Sequence, residues 1–339
     1  YVHVVERSAK AIVISGTKAI VTGGPYMHEF LVMPSRNMGR EDADFAVCCA
    51  VRVDEPGITI ASRPAGRPGE KVEHGEALFS RKYGQSTGVV IFDKVFVPWE
   101  RVFLYRNVEA CNQVRAKTQS GPHAATQSAV RALAKTEFML ALALRMARST
   151  KIDEHLHVQG MLSEIMVFRE TLRAALTASE ANAKMSVYGT LVPDANALWV
   201  VRMGFPRMFI RMQEIIQLLG ASGLVAVPSY AETRGAGASL VERYYQSANS
   251  DANERIKLFR LAFDASMSAF AGRQQLYERY YTGDPVRLAA MLFNQYDKKP
   301  FHDRIDGILA DIAPTLLDMM GLPKPAAMTG TTRRRKKKG

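Results

Sequence analysis

Cysteine is scarce in this chain. Cys48, Cys49 and Cys111 are the only three in 339 residues, too few for a disulfide framework, and the adjacent pair is poorly placed for a bridge. A reducing, cytoplasmic setting is the expectation that follows. No run of about 18 apolar residues occurs, which argues against a membrane-spanning helix. The chain has no GxGxxG after a strand-like run, no GxxxxGK followed by Ser or Thr, and no GxSxG. A Rossmann cofactor site, a P-loop and a nucleophile elbow are therefore not written into it. Seven histidines are scattered, and His155 and His157, two apart, point to different helix faces with no cysteine near. No metal site is expected from them.

What is present is the balance of a globular protein: 47% hydrophobic and 23% charged residues, enough for a sizeable core in one large or two ordinary domains. The net charge of +12 resembles a nucleic-acid signal until its source is located. Half of it comes from the run Arg333, Arg334, Arg335, Lys336, Lys337 and Lys338. Like charges in a block repel, so 328–339 reads as a disordered basic tail, and nucleic acid is not the expected partner. The opening, Tyr-Val-His-Val-Val-Glu, already alternates like a strand, with no initiator Met or signal peptide, which raises the expectation of sequence upstream.

Two periods divide the chain. From 1 to about 106 the segments 11–22, 29–33, 45–53, 57–61 and 88–97 are short, β-branched and punctuated by Gly, Pro or charge. Ser15-Gly16 interrupts the first of them as a tight turn would. The polar, glycine-rich stretch 62–87 is too long for a hairpin connection and reads as a mobile functional loop. From 107 to 327 the period is helical, with long helices expected over 124–150, 154–186, 195–219 and 251–281 and shorter ones over 284–295 and 301–319. Asp194 is the expected N-cap of the third, and Gly220 and Gly223 its end. Four helices of this length predict an antiparallel bundle behind a small β domain, an α+β architecture.

Few residues in this frame point to chemistry by themselves. Arg131 and Lys135, one turn apart on an otherwise apolar helix, read on composition as a solvated stripe. Gly220-Ala-Ser-Gly223 suits either a phosphate or an ordinary helix end. Tyr244, Tyr245, Tyr277, Tyr280 and Tyr281 near helix ends suit packing.

Several strings, taken in order, carry more. Ile14-Ser-Gly-Thr-Lys18 with Thr22, VIFDKVFVPWERVF from Val90 to Phe103, Pro228-Ser-Tyr-Ala-Glu232, RIKLFR from Arg255 to Arg260, and Phe270-Ala-Gly-Arg273 together resemble the oxygenase component of 4-hydroxyphenylacetate 3-hydroxylase and its relatives. That resemblance implies an acyl-CoA dehydrogenase-like fold, with a β-barrel-like middle domain, a C-terminal helical bundle and an N-terminal helical domain that this sequence lacks. It further implies a two-component monooxygenase that uses FADH2 from a separate NAD(P)H:flavin reductase and O2. Such enzymes hydroxylate a phenol ortho to its hydroxyl through a flavin C4a-hydroperoxide, as cytoplasmic homotetramers.

Carried over residue by residue, the resemblance places Thr22 against the flavin ring, Gln127 and Arg131 near the cofactor's phosphates, and Ser268, Ala269, Phe270 and Ala271 along its path. Ala269 and Ala271 stand where many relatives have Glu and Gly. The residues that grip the phenol belong to the absent N-terminal domain, so no catalytic residue is named. Two alternatives share the fold. A 4-hydroxybutyryl-CoA dehydratase-like flavoprotein would need a cluster ligand seven residues after His123, where Val130 stands and cannot bind iron. The other is a non-catalytic assembly relative.

Overall fold

The computed structural model describes residues 1–34, 36–63, 77–84 and 86–333. Most of the loop expected over 62–87 and the end of the basic tail lie outside them. The described residues fall into two compact units, Tyr1–Pro285 and Val286–Gly339.

The first unit begins with seven strands in two antiparallel sheets. Strands β1 (His3–Arg7), β2 (Ala11–Thr22), β5 (Ile58–Ser62) and β6 (Thr87–Pro98) form one sheet in the order β1-β2-β6-β5. Strands β3 (Glu29–Val32), β4 (Val47–Arg52) and β7 (Val102–Tyr105) form the other, with β4 central. Alternation decides which side chains go inward: Ile12 and Ile14 of β2 meet Val90, Phe92, Val95 and Val97 of β6 and Val47, Cys49 and Val51 of β4 in one shared core. The inward phase of β6 slips between Phe92 and Val95, where Lys94 takes φ 51° and its N–H donates to Ser15 Oγ at 3.0 Å. An extra residue in one strand does this, because it moves every later side chain to the other face.

The turn expected at Ser15-Gly16 is not formed. β2 runs straight through Gly16, which adopts φ +127° opposite the bulge and lies so close to Tyr1 that a Cβ would sit 2.2 Å from the Tyr1 carbonyl oxygen. The glycine serves a close approach of backbones.

The helical part of this unit consists of α2 (Val108–Lys117), α3 (Ser120–Thr150), α4 (Leu156–Ala181), α5 (Trp199–Gly220), α6 (Ala238–Tyr244), α7 (Ala252–Ser266) and α8 (Ala269–Tyr280), while the short α1 (Leu78–Lys82) lies between β5 and β6. Alanines 125, 129, 132, 143 and 147 bury one face of α3, which lets α4 and α5 approach closely. Leu162, Ile165 and Leu172 of α4 and Phe205, Met212, Ile215 and Ile216 of α5 fill the rest. A two-stranded hairpin, β8 (Lys184–Met185) with β9 (Leu191–Val192), joins α4 to α5. Asp194 does not cap α5, which starts at Trp199; its Oδ1 instead accepts from the Asn196 N–H in the preceding turn. A second small core of Met38, Ala46 and Cys111 joins the β part to α2, where Asn112 both accepts from the Met38 N–H and donates to its carbonyl, each at 3.0 Å.

The helix expected over 251–281 is two helices. Met267 and Ser268 leave the helical path, and Ser268, at ψ 173°, caps α8 by accepting from the Ala271 N–H. In the second unit, α9 (Pro285–Gln295) and α10 (Lys299–Met319) leave Ile305, Ile308, Leu309, Ile312 and Leu316 exposed along one stripe. The bundle expected to run to 327 thus yields its last two helices to a separate compact unit. Thr331 and Arg333, read from sequence as part of a disordered tail, hydrogen-bond back to Asp311.

Candidate functional site

The break between α7 and α8 is held from three directions. Gln213 of α5 donates to the carbonyls of Ala265 and Ala271 at 3.3 and 3.1 Å, and Gln217 donates to Ser266 at 2.8 Å. Ser268 Oγ donates to the Asp264 carbonyl at 2.7 Å while capping α8. The Asp264 side chain, 1% exposed, accepts from the N–H groups of Phe79 and Ser80 at 2.5 and 3.0 Å and from Ser80 Oγ at 2.5 Å. Helix α1, too short to persist alone, is thereby capped by a residue about 185 positions away. Phe79 stacks on Phe270 with centroids 5.4 Å apart and meets Phe138 edge-on at 5.3 Å. Arg273 Nη2 donates to the Tyr83 carbonyl at 3.0 Å.

The far half of α8 faces α3. Arg131 and Lys135 both bond Glu278 Oε1, with Lys135 at 2.5 Å, and Lys135 also donates to Gln274 at 2.6 Å. The Glu278 side chain is 1% exposed. Tyr277 and Tyr281 stack at 4.7 Å, and the Arg131 guanidinium lies over both rings, 4.4 Å from the Tyr281 centroid and 5.2 Å from that of Tyr277. Burial pushes the Lys135 ammonium below its ordinary pKa against the opposing pull of Glu278, and burial also pushes the Tyr277 phenol up. Gln127 accepts from the Tyr281 hydroxyl at 3.1 Å. Two buried atoms of the ion pair, Arg131 Nε and Glu278 Oε2, have no partner among the described residues.

Of the seven sequence-predicted positions, six therefore lie along α8. Ser268 caps it and Ala269, Phe270 and Ala271 form its first turn, while Gln127 and Arg131 of α3 meet Tyr281 and Glu278 at its other end. Twelve residues of α8 separate these ends by about 18 Å. Thr22 is elsewhere, exposed at the end of β2, where Thr87 Oγ1 donates to its hydroxyl at 3.3 Å. The solvated stripe read at Arg131 and Lys135 is not observed; both side chains turn inward to Glu278. Sequence reasoning missed Glu278, Gln274, Asp264, Ser80 and Gln213. A faint signal existed for Asp264, an acid among the apolar residues Phe259, Ala262 and Ala265. His123 and Val130 both lie on α3, and Val130 is exposed.

Two family profiles cover most of the chain, 4-hydroxyphenylacetate 3-hydroxylase N terminal over residues 1–104 and its C terminal over 111–310. The 4-hydroxyphenylacetate 3-monooxygenase oxygenase component of Thermus thermophilus is 39% identical over 314 residues, covering 91% of this chain and 64% of that protein. A crystal structure of such an oxygenase component, complexed with FAD and 4-hydroxyphenylacetate, superposes with TM-score 0.85 at 39% identity, over 91% of this chain and 64% of that one. This chain thus spans less than two thirds of the length of these relatives. At the level of fold alone, an archaeal 4-hydroxybutyryl-CoA dehydratase from N. maritimus matches with TM-score 0.79 at 18% identity, covering 99% of this chain and 64% of that one. The acyl-CoA dehydrogenase of Geobacillus kaustophilus matches with TM-score 0.52 at 16% identity, covering 86% and 63%.

Proposed function

The chain belongs to the 4-hydroxyphenylacetate 3-hydroxylase family, and from that membership we propose that it is the β-layer and bundle portion of the oxygenase component of a two-component, flavin-dependent phenol monooxygenase. The observation that supports this most is the line of polar and aromatic groups along α8, from the Ser268 cap to the Arg131–Glu278 pair, which contains six of the positions that the sequence resemblance assigns to the cofactor. Bound FADH2 would supply the oxygen chemistry, activating O2 for transfer to the carbon ortho to a phenolic hydroxyl.

The chain's own residues have four tasks in this reading. Arg131, held by two tyrosine faces, brings positive charge toward a phosphate-bearing chain. Gln127 adds a side-chain amide at the same end. Ser268, Ala269, Phe270 and Ala271 form the opposite end of the cradle, with Phe79 and Phe270 excluding water. Thr22, on the β layer, offers a hydroxyl to the flavin ring. A reductase supplies the reduced flavin, and the protein works in the cytoplasm as a homotetramer; the exposed stripe on α10 and three free buried cysteines agree with both placements.

The decisive experiment mixes the full-length protein with FADH2, O2 and 4-hydroxyphenylacetate and looks for the ortho-dihydroxy product by chromatography. Product formed in proportion to flavin oxidised supports the reading. Flavin oxidation that yields only hydrogen peroxide, with this and related phenols, overturns it.

A further inference from the structure

We infer that Asp264 is a positioning residue that fastens α1 across the α7–α8 break and thereby ties the β layer to the first turn of α8. This rests on the flavin reading given above, and goes beyond it by assigning a task to a residue and a segment outside the family-matched contacts.

The argument starts from the carboxylate. A buried carboxylate is costly unless its oxygens accept several hydrogen bonds. Asp264 meets that need with three neutral donors, all from Phe79 and Ser80. Two of the donors are backbone N–H groups, so the contact depends on the path of α1 rather than on its side chains. Ser80 adds the side-chain element, and its Oγ also lies 3.3 Å from Ser268 Oγ, the cap of α8. The Phe79 ring between Phe138 and Phe270, and Arg273 on the Tyr83 carbonyl, fix the remainder of the segment. Every anchor on the bundle side, apart from Phe138, lies within 264–273.

The strap leads directly to the other predicted cofactor contact. Thr87 follows Ser80 by seven positions and bonds Thr22, and the Ser86 carbonyl accepts from the Gly23 N–H at 2.7 Å. Seven positions along the chain therefore separate Ser80, which meets Ser268, from Thr87, which meets Thr22. Fastening the strap at Asp264 holds Ser268 and Thr22 at one spacing and shields what lies between them from water.

The test uses full-length protein, oxidised FAD as the probe, and the variants Ser80→Ala, Ser80→Thr and Asp264→Asn. Amide exchange across 78–83 should quicken by about 10-fold or more in Ser80→Ala, the loss of one bond to a charged acceptor, and further in Asp264→Asn. Iodide quenching of bound FAD fluorescence should rise in the same order, with a modest fall in the urea midpoint of Ser80→Ala and with Ser80→Thr restoring both protection and midpoint. Unchanged exchange and quenching in both Ser80→Ala and Asp264→Asn overturns the inference. So does a fall in urea midpoint with no change in quenching of bound FAD, which would make Asp264 merely structural. If wild-type protein binds neither oxidised nor reduced FAD, the flavin reading fails and takes the shielding role with it, while the exchange measurement still decides the fastening.

Discussion

Arg131 of α3 and Glu278 of α8, 147 residues apart, share a buried ion pair in which Lys135 is the third member. Two cations converge on one carboxylate oxygen, so the cluster keeps a net positive charge inside an aromatic frame. That arrangement makes Arg131 a structural element as well as a candidate cofactor ligand.

Arg131→Ala leaves Lys135 and Glu278 as a balanced pair and removes only one charge-assisted bond, so it should lower stability by about 1–3 kcal/mol, alongside any loss of flavin affinity. Glu278→Ala should cost at least as much, because it leaves two cations together. Urea denaturation of both variants and of the double variant checks this, and a coupling energy near zero would refute the pairing.

Gln213 reaches across from α5 to the two sides of the α7–α8 break. Gln213→Leu removes both hydrogen bonds while roughly preserving volume, and should cost about 1–3 kcal/mol. Faster amide exchange should appear at 266–271 in preference to the rest of α7. Uniform acceleration along the helices would argue against a local clamp.

Gly16→Ala should destabilise the β layer by about 1–3 kcal/mol, since φ +127° and the Tyr1 carbonyl both oppose a Cβ. Gly121→Ala, where nothing lies within 4 Å, is the control and should be neutral or slightly stabilising. Thermal melts of the two variants measure the difference.

Alkaline pH should weaken the fold through Cys49. Burial chiefly, with Cys48 adding to it, pushes its thiol from 9.0 up to about 12. The unfolded chain loses this proton near pH 9 while the folded chain keeps it. The stability contribution is thus complete below about pH 9 and declines toward pH 12, by about 1.4 kcal/mol per pH unit for one proton. Urea midpoints at pH 8, 9.5 and 10.5 should fall more steeply for wild type than for Cys49→Ala.

The β layer and the long helices were legible because their signals are local. Alternation in 11–22 and 88–97 and the alanine face of α3 each follow from neighbours within one element. The break at Met267–Ser268 was not legible, because the apolar period continues across it and Ser268 is an ordinary residue on a helix surface. It becomes a cap only when Gln213, Gln217 and Asp264 stabilise the alternative path. The inward turn of Arg131 was equally hidden. A cation on an apolar helix reads as solvated until a buried acid 147 residues away is known to face it. Gly16 misled for a related reason, since its φ serves contact with Tyr1 and the bulge opposite instead of a chain reversal.

The double hydrogen bond between Asn112 and Met38 distributes evolutionary freedom unevenly. Asn112 mimics a neighbouring strand, offering one donor and one acceptor to the main chain at position 38. Main-chain groups are common to nearly every amino acid, so position 38 can drift among residues that fill the same small apolar space. Position 112 has no such latitude: aspartate lacks the donor and glutamine overshoots by a methylene. Homologues that preserve this junction should hold the amide fixed while its partner varies.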